Sequence, residues 1–483
     1  MFANKKTNTR GKGVSKLPTL KKRLEVLQPV TMGQMIGLAK EFAVSVVDVV
    51  LAEAELQTGK SQEEILTDVM EQYRHNLQAI EIGLKDGESI LLGTVASQLG
   101  KIEGPKCFDD KFLDDVLLYT QAAQVGNHCI GLRPCAGTGD SCPYTGYIMA
   151  MMRAGYSERE VAEIAALFLK IGGLFRAGKV TTGCNMEGFG AGAACIAAGT
   201  VALMKGTPEQ MEKAMVLALS PTIGVPCTPR VLVPALCTTH IAGAVMIGMY
   251  SAKLLLRVDI DVNVPIDVMF AMASQVHVQS GKHLVPTVVD FMEPFFKRKP
   301  QVEDLVEQHV KDAEQAKIEQ TLKNADAISQ NFAKQTLPIT NTLGEAVVGG
   351  SSQAVGSPTN AARIAHELAR GTIRKITVEL YPELFARRAI NIPGVLMGAA
   401  FGSSTADYDM YNAAVQKVRE AGIEVNIVEG TEAYIQKITI ETDQMTCWVD
   451  TLNRGGGRVH LRDASPSLEQ AAAAAKRLGI VLA

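Results

Sequence analysis

Residues 181–199 read TTGCNMEGFGAGAACIAAG, and residues 220–240 read SPTIGVPCTPRVLVPALCTTH. In the first stretch, Cys184 opens a run of Gly and Ala so small that neighbouring backbone, or an inorganic cofactor, can approach closely. In the second, Cys227 and Cys237 lie among four prolines, whose fixed φ angles and missing N–H donors exclude a regular helix. The two stretches therefore predict tightly packed backbone followed by a stiff loop, with unusual cysteines in each.

The same three cysteines are candidate ligands of an iron–sulfur cluster. Such clusters are normally held by four cysteines, and a site with three leaves one iron with an exchangeable position that can act as a Lewis acid. Glu187 and His240 each lie three residues from one of these cysteines, and both are candidates for proton transfer. This combination suits elimination of hydroxide from a β-hydroxy acid, where the leaving group needs a metal and the α-proton needs a base.

The remaining cysteines allow structural as well as functional interpretations. An isolated buried cysteine usually behaves as a small hydrophobic side chain, and we expect this of Cys107, Cys195 and Cys447. Residues 129–146, CIGLRPCAGTGDSCPYTG, form a second stretch rich in Gly and Pro. It can supply a fourth ligand or a substrate contact from one of three cysteines, Cys129, Cys135 and Cys142.

Composition excludes several classes of protein. A formal charge of −3, from 48 basic and 51 acidic residues, gives no field that would favour nucleic acid or an anionic membrane surface. The most apolar stretch, residues 241–256, is too short to span a membrane and contains Lys253.

GFGAGAAC imitates a dinucleotide-binding fingerprint, but no strand is predicted before it and the third Gly is missing. Nine irregularly spaced cysteines and no apolar N-terminal run predict a cytoplasmic protein.

Periodicity divides the chain into four parts. Residues 1–23 contain eight Lys or Arg and no acid, which predicts a basic, disordered arm. Residues 24–296 predict one all-helical domain that carries the cluster ligands. Residues 297–336 are highly charged and predict an exposed helical connector. Residues 337–483 predict a smaller α+β domain.

Local signals support these assignments. Capping boxes, in which Ser or Thr is followed three residues later by Glu or Gln, begin predicted helices at Ser61, Ser157 and Thr207. We expect the second of these helices to end at Gly172 and Gly173. In the last part of the chain, apolar and polar residues alternate in four predicted strands, at residues 375–380, 423–428, 433–441 and 444–450. A final helix is predicted there with Ser465 as its cap.

The helical part resembles a known family. Residues 30–290 are similar to the α domain of iron–sulfur L-serine dehydratases and of the related L-cysteine desulfidases. GCNME at residues 183–187 and GVPCTPRVLVPALC at residues 224–237 are among the matching motifs. The resemblance implies a four-iron four-sulfur cluster with one open iron site, bound by Cys184, Cys227 and Cys237.

Residues 345–465 resemble the other domain of this family, although the domain order is reversed. GGSSQAVGSPTNAAR, residues 349–363, stands where serine dehydratases have a Ser-Ser-His-Thr loop near the substrate and where desulfidases have ALGCTEPAA. Gln353 and Ala354 replace the His and Thr of the dehydratase loop, so a changed substrate or base is expected. The resemblance implies substrate contacts from five residues of this stretch, Ser351, Ser352, Gln353, Ser357 and Thr359.

Together these observations predict a multi-domain protein, all-α first and α+β second, that acts as an oxygen-sensitive cytoplasmic lyase of amino-acid metabolism. The expected reaction removes water, or sulfide as in the desulfidases, from a small polar amino or hydroxy acid. An amino-acid substrate would give a keto acid and ammonia. Two other classes stay open, a structural zinc protein on the same thiolates and an inactive scaffold homologue. We expect a homo-oligomer with a small-molecule substrate and with no nucleic-acid or membrane partner.

Overall fold

The computed structural model describes residues 17–27, 29–133, 141–178, 189–225, 236–295, 298–336, 338–341 and 345–483. The chain divides into two compact units, Met1–Ile328 and Ser329–Ala483. The first unit is mostly helical, and the second combines a mixed sheet with helices, as the sequence predicts.

The first unit contains fifteen described α-helices, and its last one runs across the boundary with the second unit. They are α1 (Leu17–Leu27), α2 (Met32–Phe42), α3 (Val46–Thr58), α4 (Gln62–Leu84), α5 (Val95–Gly100), α6 (Lys111–Ile130), α7 (Cys142–Arg153), α8 (Glu158–Gly178), α9 (Gly192–Leu203), α10 (Pro208–Leu219), α11 (Leu236–Leu255), α12 (Ile266–Gln279), α13 (Val285–Met292), α14 (Pro300–Glu303) and α15 (Gln308–Gln335).

The predicted helix starts are confirmed. Ser61 and Thr207 cap α4 and α10 through reciprocal capping boxes, and the Ser157 hydroxyl accepts a hydrogen bond from the Glu160 amide at 3.3 Å at the start of α8. The predicted end of α8 at Gly172 and Gly173 is wrong, because the helix continues to Gly178. Phe175, beyond the glycine pair, is buried against Phe270 at a ring-centroid distance of 4.3 Å, and this packing favours continuation of the helix.

Two segments outside the predicted helical domain are also helical. Residues 17–23, which the sequence places in the basic arm, form the first part of α1, where Leu20 and Leu24 lie one turn apart and are fully buried in the main core. Helix α15 lies in the predicted connector, is polar on most of its surface, and buries Ile318.

Small residues let the helices of the first unit approach closely. Ala79 and Gly83 of α4 face Ala122 and Gly126 of α6, and each pair is spaced by four residues, so both lie on one helix face. A Cβ atom on Gly126 would lie 2.1 Å from the Ala79 carbonyl oxygen, and one on Gly83 would lie 2.1 Å from the Ala122 carbonyl oxygen. The two backbones are therefore in direct contact, because small residues face each other on both helices.

The same kind of contact recurs around α6 and α9. A Cβ on Gly146 of α7 would lie 2.3 Å from Thr120 Oγ1 of α6, and one on Gly248 of α11 would lie 2.6 Å from the Ala193 carbonyl oxygen of α9. Contacts this short leave no room for a side chain. They fix how far each helix can slide along its neighbour.

The second unit contains a five-stranded sheet in the order β2-β1-β3-β4-β5. Strands β1 and β2 are parallel, and the other neighbouring pairs are antiparallel. The strands are β1 (Ile373–Leu380), β2 (Glu424–Glu429), β3 (Ile435–Thr442), β4 (Thr446–Asn453) and β5 (Val459–Ser465). The helices are α16 (Ser357–Leu368), α17 (Pro382–Ala386), α18 (Arg388–Phe401), α19 (Tyr408–Glu420) and α20 (Leu468–Arg477).

Alternation located four of these strands correctly. In β1, Ile376, Val378 and Leu380 are buried, while the residues between them are partly or fully exposed. The fifth strand was missed, and the cap of the last helix was placed two residues too early. Ser465 ends β5, and the Ser467 hydroxyl accepts the hydrogen bond from the Gln470 amide that caps α20.

No described helix combines the length and the apolar character that a membrane span requires.

Replacing Gly126 by Ala should destabilise the first unit by about 1–3 kcal/mol, because the added Cβ would overlap the Ala79 carbonyl and force α4 and α6 apart. Urea unfolding followed by circular dichroism measures this change. Gly173→Ala is the matched control within α8, because no atom lies within 4 Å of its Cβ position. That substitution should stabilise the helix by up to about 1 kcal/mol. Equal effects of the two substitutions would contradict the packing argument.

Candidate active site

The starts of α7 and α9 lie against each other, and the third turn of α11 lies against the start of α9. A Cβ on Gly192, the first residue of α9, would lie 3.4 Å from Pro143 Cγ of α7 and 3.4 Å from Ala244 Cβ of α11. Just before α9, the ring of Phe189 lies 5.1 Å from the ring of His240, measured between centroids. The three sequence stretches singled out for their cysteines thus lead into helices that pack together within their first three turns.

Helix α6 passes beside these starts and touches two of them with buried glutamines. Gln121 Nε2 donates to the Thr238 carbonyl oxygen of α11 at 2.7 Å. Three residues further along the same face, Gln124 Oε1 accepts from the Cys142 thiol of α7 at 2.6 Å. Both glutamines are 4% exposed, so the two bonds fix α7 and α11 to α6 from within the core.

One side-chain atom of these two glutamines lacks a hydrogen-bond partner within the described residues. Gln121 Oε1 is buried and has no hydrogen-bond partner among the residues that the structure describes. A buried polar atom without a partner costs about 1–3 kcal/mol. Such an atom therefore accepts a hydrogen bond either from a water molecule or from a ligand.

A second polar cluster holds the chain where it leaves α6. Asn76 of α4 is fully buried and bonds both backbone groups of Arg133, donating from Nδ2 to the carbonyl at 3.0 Å and accepting the amide N–H at Oδ1 at 2.7 Å. Asn127 Oδ1 accepts from the Leu132 amide at 2.8 Å, and the Ser141 hydroxyl donates to the Arg133 carbonyl at 3.4 Å. Arg133 and Ser141, which flank residues 134–140, are thereby held together.

Cys237 is the one predicted cluster ligand within the described residues. The loop predicted around Cys237 is wrong at this residue, which lies in the first turn of α11, because the last proline of the stretch, Pro234, precedes the helix. Cys237 is 6% exposed and belongs to an apolar cluster that also contains Cys142. The partial positive charge at a helix N-terminus favours an anionic ligand, and a thiolate is a ligand that iron accepts readily. The surroundings of Cys237 therefore fit one corner of an iron–sulfur cluster.

The other predicted ligands cannot be placed in the same way. Cys184, Glu187 and Cys227 lie outside the described residues, as does Cys135. Among the residues that are described, no group of three His, Cys, Asp or Glu side chains is placed to hold a metal ion. The arrangement of the three cysteines around a cluster stays a prediction.

Two histidines of the first unit, His240 and His128, have different surroundings. His240 is half-buried in the second turn of α11, against Phe189. His128 lies in the last turn of α6, where its Nδ1 bonds the Ser89 hydroxyl, and burial lowers its pKa. Because Ser89 Oγ already accepts from two backbone amides at 3.0 and 3.1 Å, its proton points to the imidazole. His128 is therefore a structural histidine that closes the turn after α4.

The remaining cysteines divide by burial. Cys195 and Cys447 are fully buried core residues, as the sequence predicts, and their thiols donate to the carbonyls of Phe168 at 3.7 Å and Ala365 at 3.4 Å. Burial raises the pKa of Cys447 to about 11, which keeps its thiol protonated. Cys107 is exposed, so it is not a core residue, and Cys129 is exposed with its thiol 3.6 Å from the Glu88 carbonyl oxygen.

The predicted substrate-contacting residues lie together in the second unit, at the start of α16. Ser351 Oγ caps the turn by accepting from the Ala354 amide at 3.1 Å, and Ser352 and Gln353 are exposed. Ser357 and Thr359 are fully buried, and the Ser357 hydroxyl donates to the Arg458 carbonyl at 2.9 Å.

A glycine-rich turn at residues 454–458 packs on this segment. The Gly457 amide donates to the Ser352 carbonyl at 3.3 Å, and Asn453 Nδ2 donates to the Gln353 carbonyl at 2.7 Å. Three successive glycines of the turn, Gly455, Gly456 and Gly457, have φ of 70°, 59° and 74°, a conformation that side chains disfavour. The backbone of Ser352 and Gln353 is therefore fixed, while their side chains stay accessible.

Sequence reasoning missed the buried amides of the first unit. Gln121, Gln124 and Asn76 resemble ordinary helix residues because their partners lie far away along the chain. One signal was available. Gln121 and Gln124 are spaced by three residues within VLLYTQAAQVG, where the other residues of the same face are apolar.

The described residues form a helical domain. Its cysteine-bearing segments lead into α7, α9 and α11, which pack together beside α6. Residues 41–287, more than half of the chain, match the serine dehydratase alpha chain family. The chain belongs to this family, and membership implies a serine dehydratase-like lyase. No curated protein is similar enough to count as an individual relative.

Replacing Asn76 by Ala should lower the free energy of unfolding by about 2–4 kcal/mol, because both backbone groups of Arg133 lose their partner inside the core. Differential scanning calorimetry of the full chain measures the loss. Asn324→Ala, at an exposed position of α15, is the control and should change stability by less than about 0.5 kcal/mol. A small effect at Asn76 would show that residues 131–133 do not depend on this clamp.

Proposed function

We propose that the protein is an iron–sulfur-dependent lyase that removes water from a small polar amino acid, most simply serine, and releases a keto acid and ammonia. The observation that carries the proposal is the family match over the unit in which α7, α9 and α11 pack together within their first three turns. Cys184, Cys227 and Cys237 are the proposed ligands of a four-iron four-sulfur cluster. When bound, such a cluster supplies a Lewis-acidic iron that helps a hydroxyl leave.

Residues of the chain must accept and donate the protons of this reaction. Elimination breaks the Cα–H bond and the Cβ–O bond, with the α-proton going to a base and the hydroxide taking up one proton to leave as water. The resulting enamine becomes an imine, which water hydrolyses to the keto acid and ammonia. His240 and Glu187 are the proposed proton-transfer groups. His240 is the better supported of the two, because it lies one helical turn from Cys237 and is half-buried against Phe189.

The second unit is proposed to supply substrate contacts. Of Ser351, Ser352, Gln353, Ser357 and Thr359, the exposed residues Ser352 and Gln353 are assigned direct contact. Ser357 is assigned support of the backbone, because its buried hydroxyl donates to the Arg458 carbonyl, and Thr359, which is fully buried, is assigned no direct contact. Gln353 stands where the dehydratase loop has a histidine, so this unit offers an amide where the family offers a base.

The proposal extends to compartment and assembly. An oxygen-sensitive cluster and nine cysteines suit the reducing cytoplasm. We also propose a homo-oligomer, for which light scattering of the purified chain gives the mass directly.

Iron content tests the ligand assignment. Anaerobically purified protein should be brown, with about four irons per chain. Cys237→Ala should lose most of this iron and the activity, because one of three ligands is removed. Cys195→Ala, a buried core cysteine of similar exposure, should keep both. Full iron and activity in Cys237→Ala would refute the assignment, a colourless zinc-loaded protein would support a structural zinc site, and a folded metal-free protein would support a scaffold.

Product formation tests the reaction. L-serine, L-threonine, L-cysteine and a hydroxy-dicarboxylate are supplied to the iron-loaded protein, and keto acid is measured with ammonia or sulfide. Keto acid and ammonia in equal amounts from serine are the expected result. Sulfide release from cysteine in preference would favour the desulfidase-type reaction, which the AVGSPTNAA stretch resembles. Absence of keto acid from all four compounds would contradict the proposed function.

A further inference from the structure

Gln121 of α6 contacts the turn that carries Cys237 through one half of its side-chain amide. Its side chain is 4% exposed and reaches the first turn of α11, where Nε2 donates to the Thr238 carbonyl oxygen at 2.7 Å. Thr238 directly follows Cys237 and precedes His240 by two residues. The Gln121 amide therefore contacts the part of α11 that carries both Cys237, the proposed cluster ligand, and His240, the proposed base.

The orientation of this amide is fixed by chemistry. A carbonyl oxygen only accepts hydrogen bonds, so the nitrogen of Gln121 must face Thr238 and the oxygen must face away from it. That oxygen, Oε1, is buried and has no partner within the described part of the chain. Oε1 and Nε2 are bonded to the same carbon atom, and Nε2 contacts the first turn of α11. Oε1 therefore lies within the width of one amide group of that turn.

The chemistry of Oε1 limits what can bind there. An amide oxygen accepts from N–H or O–H donors and repels carboxylates. A charged donor forms a bond about twice as strong as a neutral one. A glutamate at this position would place a buried charge against the Thr238 carbonyl, which is unfavourable. The site is therefore built for a donor, and a cationic donor is bound best.

We propose that Gln121 Oε1 accepts a hydrogen bond from the α-ammonium group of the substrate. The proposal rests on the proposed function and deepens it, because it gives a residue that distinguishes an amino acid from a hydroxy acid. Gln121 is a substrate-binding residue in this account, held in place by α11 and supplying one acceptor.

Gln124 provides a matched comparison. It lies on the same face of α6, has the same 4% exposure, and bonds the start of α7 as Gln121 bonds the start of α11. Its Oε1, however, is already taken by the Cys142 thiol at 2.6 Å. Replacing either residue removes a buried amide, but only replacement of Gln121 removes an acceptor that has no partner within the described residues.

The test uses anaerobically purified full-length protein with Gln121→Met or Gln124→Met, and iron content is measured for each. The probes are L-serine, L-glycerate, which has a hydroxyl in place of the ammonium, and 3-hydroxypropanoate, which has neither. Gln121→Met should raise the Kd and KM of L-serine about 10- to 100-fold at unchanged iron content. The loss for L-glycerate should be smaller, and the Ki of 3-hydroxypropanoate should not change. Gln124→Met should lower the Tm without this dependence on the α-substituent.

Three results would overturn the inference. These are an unchanged Kd for L-serine in Gln121→Met, an equal loss for all three probes, or the same pattern in Gln124→Met. If Gln121→Met does not fold, a crystal structure of the wild-type protein with L-serine decides. Its amino nitrogen should lie within hydrogen-bond distance of Oε1, and a water molecule in that place would refute the proposal. If the wild-type protein holds iron and converts serine while Gln121→Met is unaffected, the inference fails and the proposed function stands. If the wild-type protein neither binds nor converts any probe, both fail.

Discussion

Direct backbone contact between helices is the constraint on which the first unit depends. Gly83 and Gly126 let α4 and α6 touch along one face, with space for no side chain between them. Gly146 and Gly248 do the same for α7 against α6 and for α11 against α9. Because such contacts cannot slide without overlap, the register of the helices is fixed, and the starts of α7 and α9 lie beside the third turn of α11.

Buried amides complete what the small residues begin. Gln121, Gln124 and Asn76 each join a helix to the beginning or end of another segment, and their partners are backbone or thiol groups inside the core. Polar groups in such surroundings bind strongly when paired and are costly when unpaired. They define one arrangement of the segments that carry the cysteines, which apolar packing alone would specify less sharply.

Local chemistry in the sequence predicted much of the fold. Capping boxes at Ser61, Ser157 and Thr207 mark helix starts because the partners lie three residues apart, and alternation marks β1 because it repeats every second residue. The glycine pair in α8 misled the prediction, because burial of Phe175 outweighs the low helix propensity of glycine.

The candidate site was less accessible to sequence reasoning. The cysteines could be chosen because Gly and Pro are frequent around them, although Cys237 itself lies in α11, so the prolines do not exclude a helix at that residue. Gln121 and Asn76 could not, since their partners are backbone atoms 117 and 57 residues away. Contacts over such separations are made by the tertiary fold and leave no local pattern.

We propose that the start of α11 presents Cys237 to iron, together with Cys184 and Cys227. Crystals grown from anaerobically purified protein, with anomalous diffraction recorded on both sides of the iron absorption edge, test this ligand set. One compact iron feature is expected at the start of α11, bonded to the sulfur atoms of all three cysteines and with one iron lacking a cysteine. Iron bound elsewhere, or these three sulfur atoms lying too far apart to share a cluster, would contradict it.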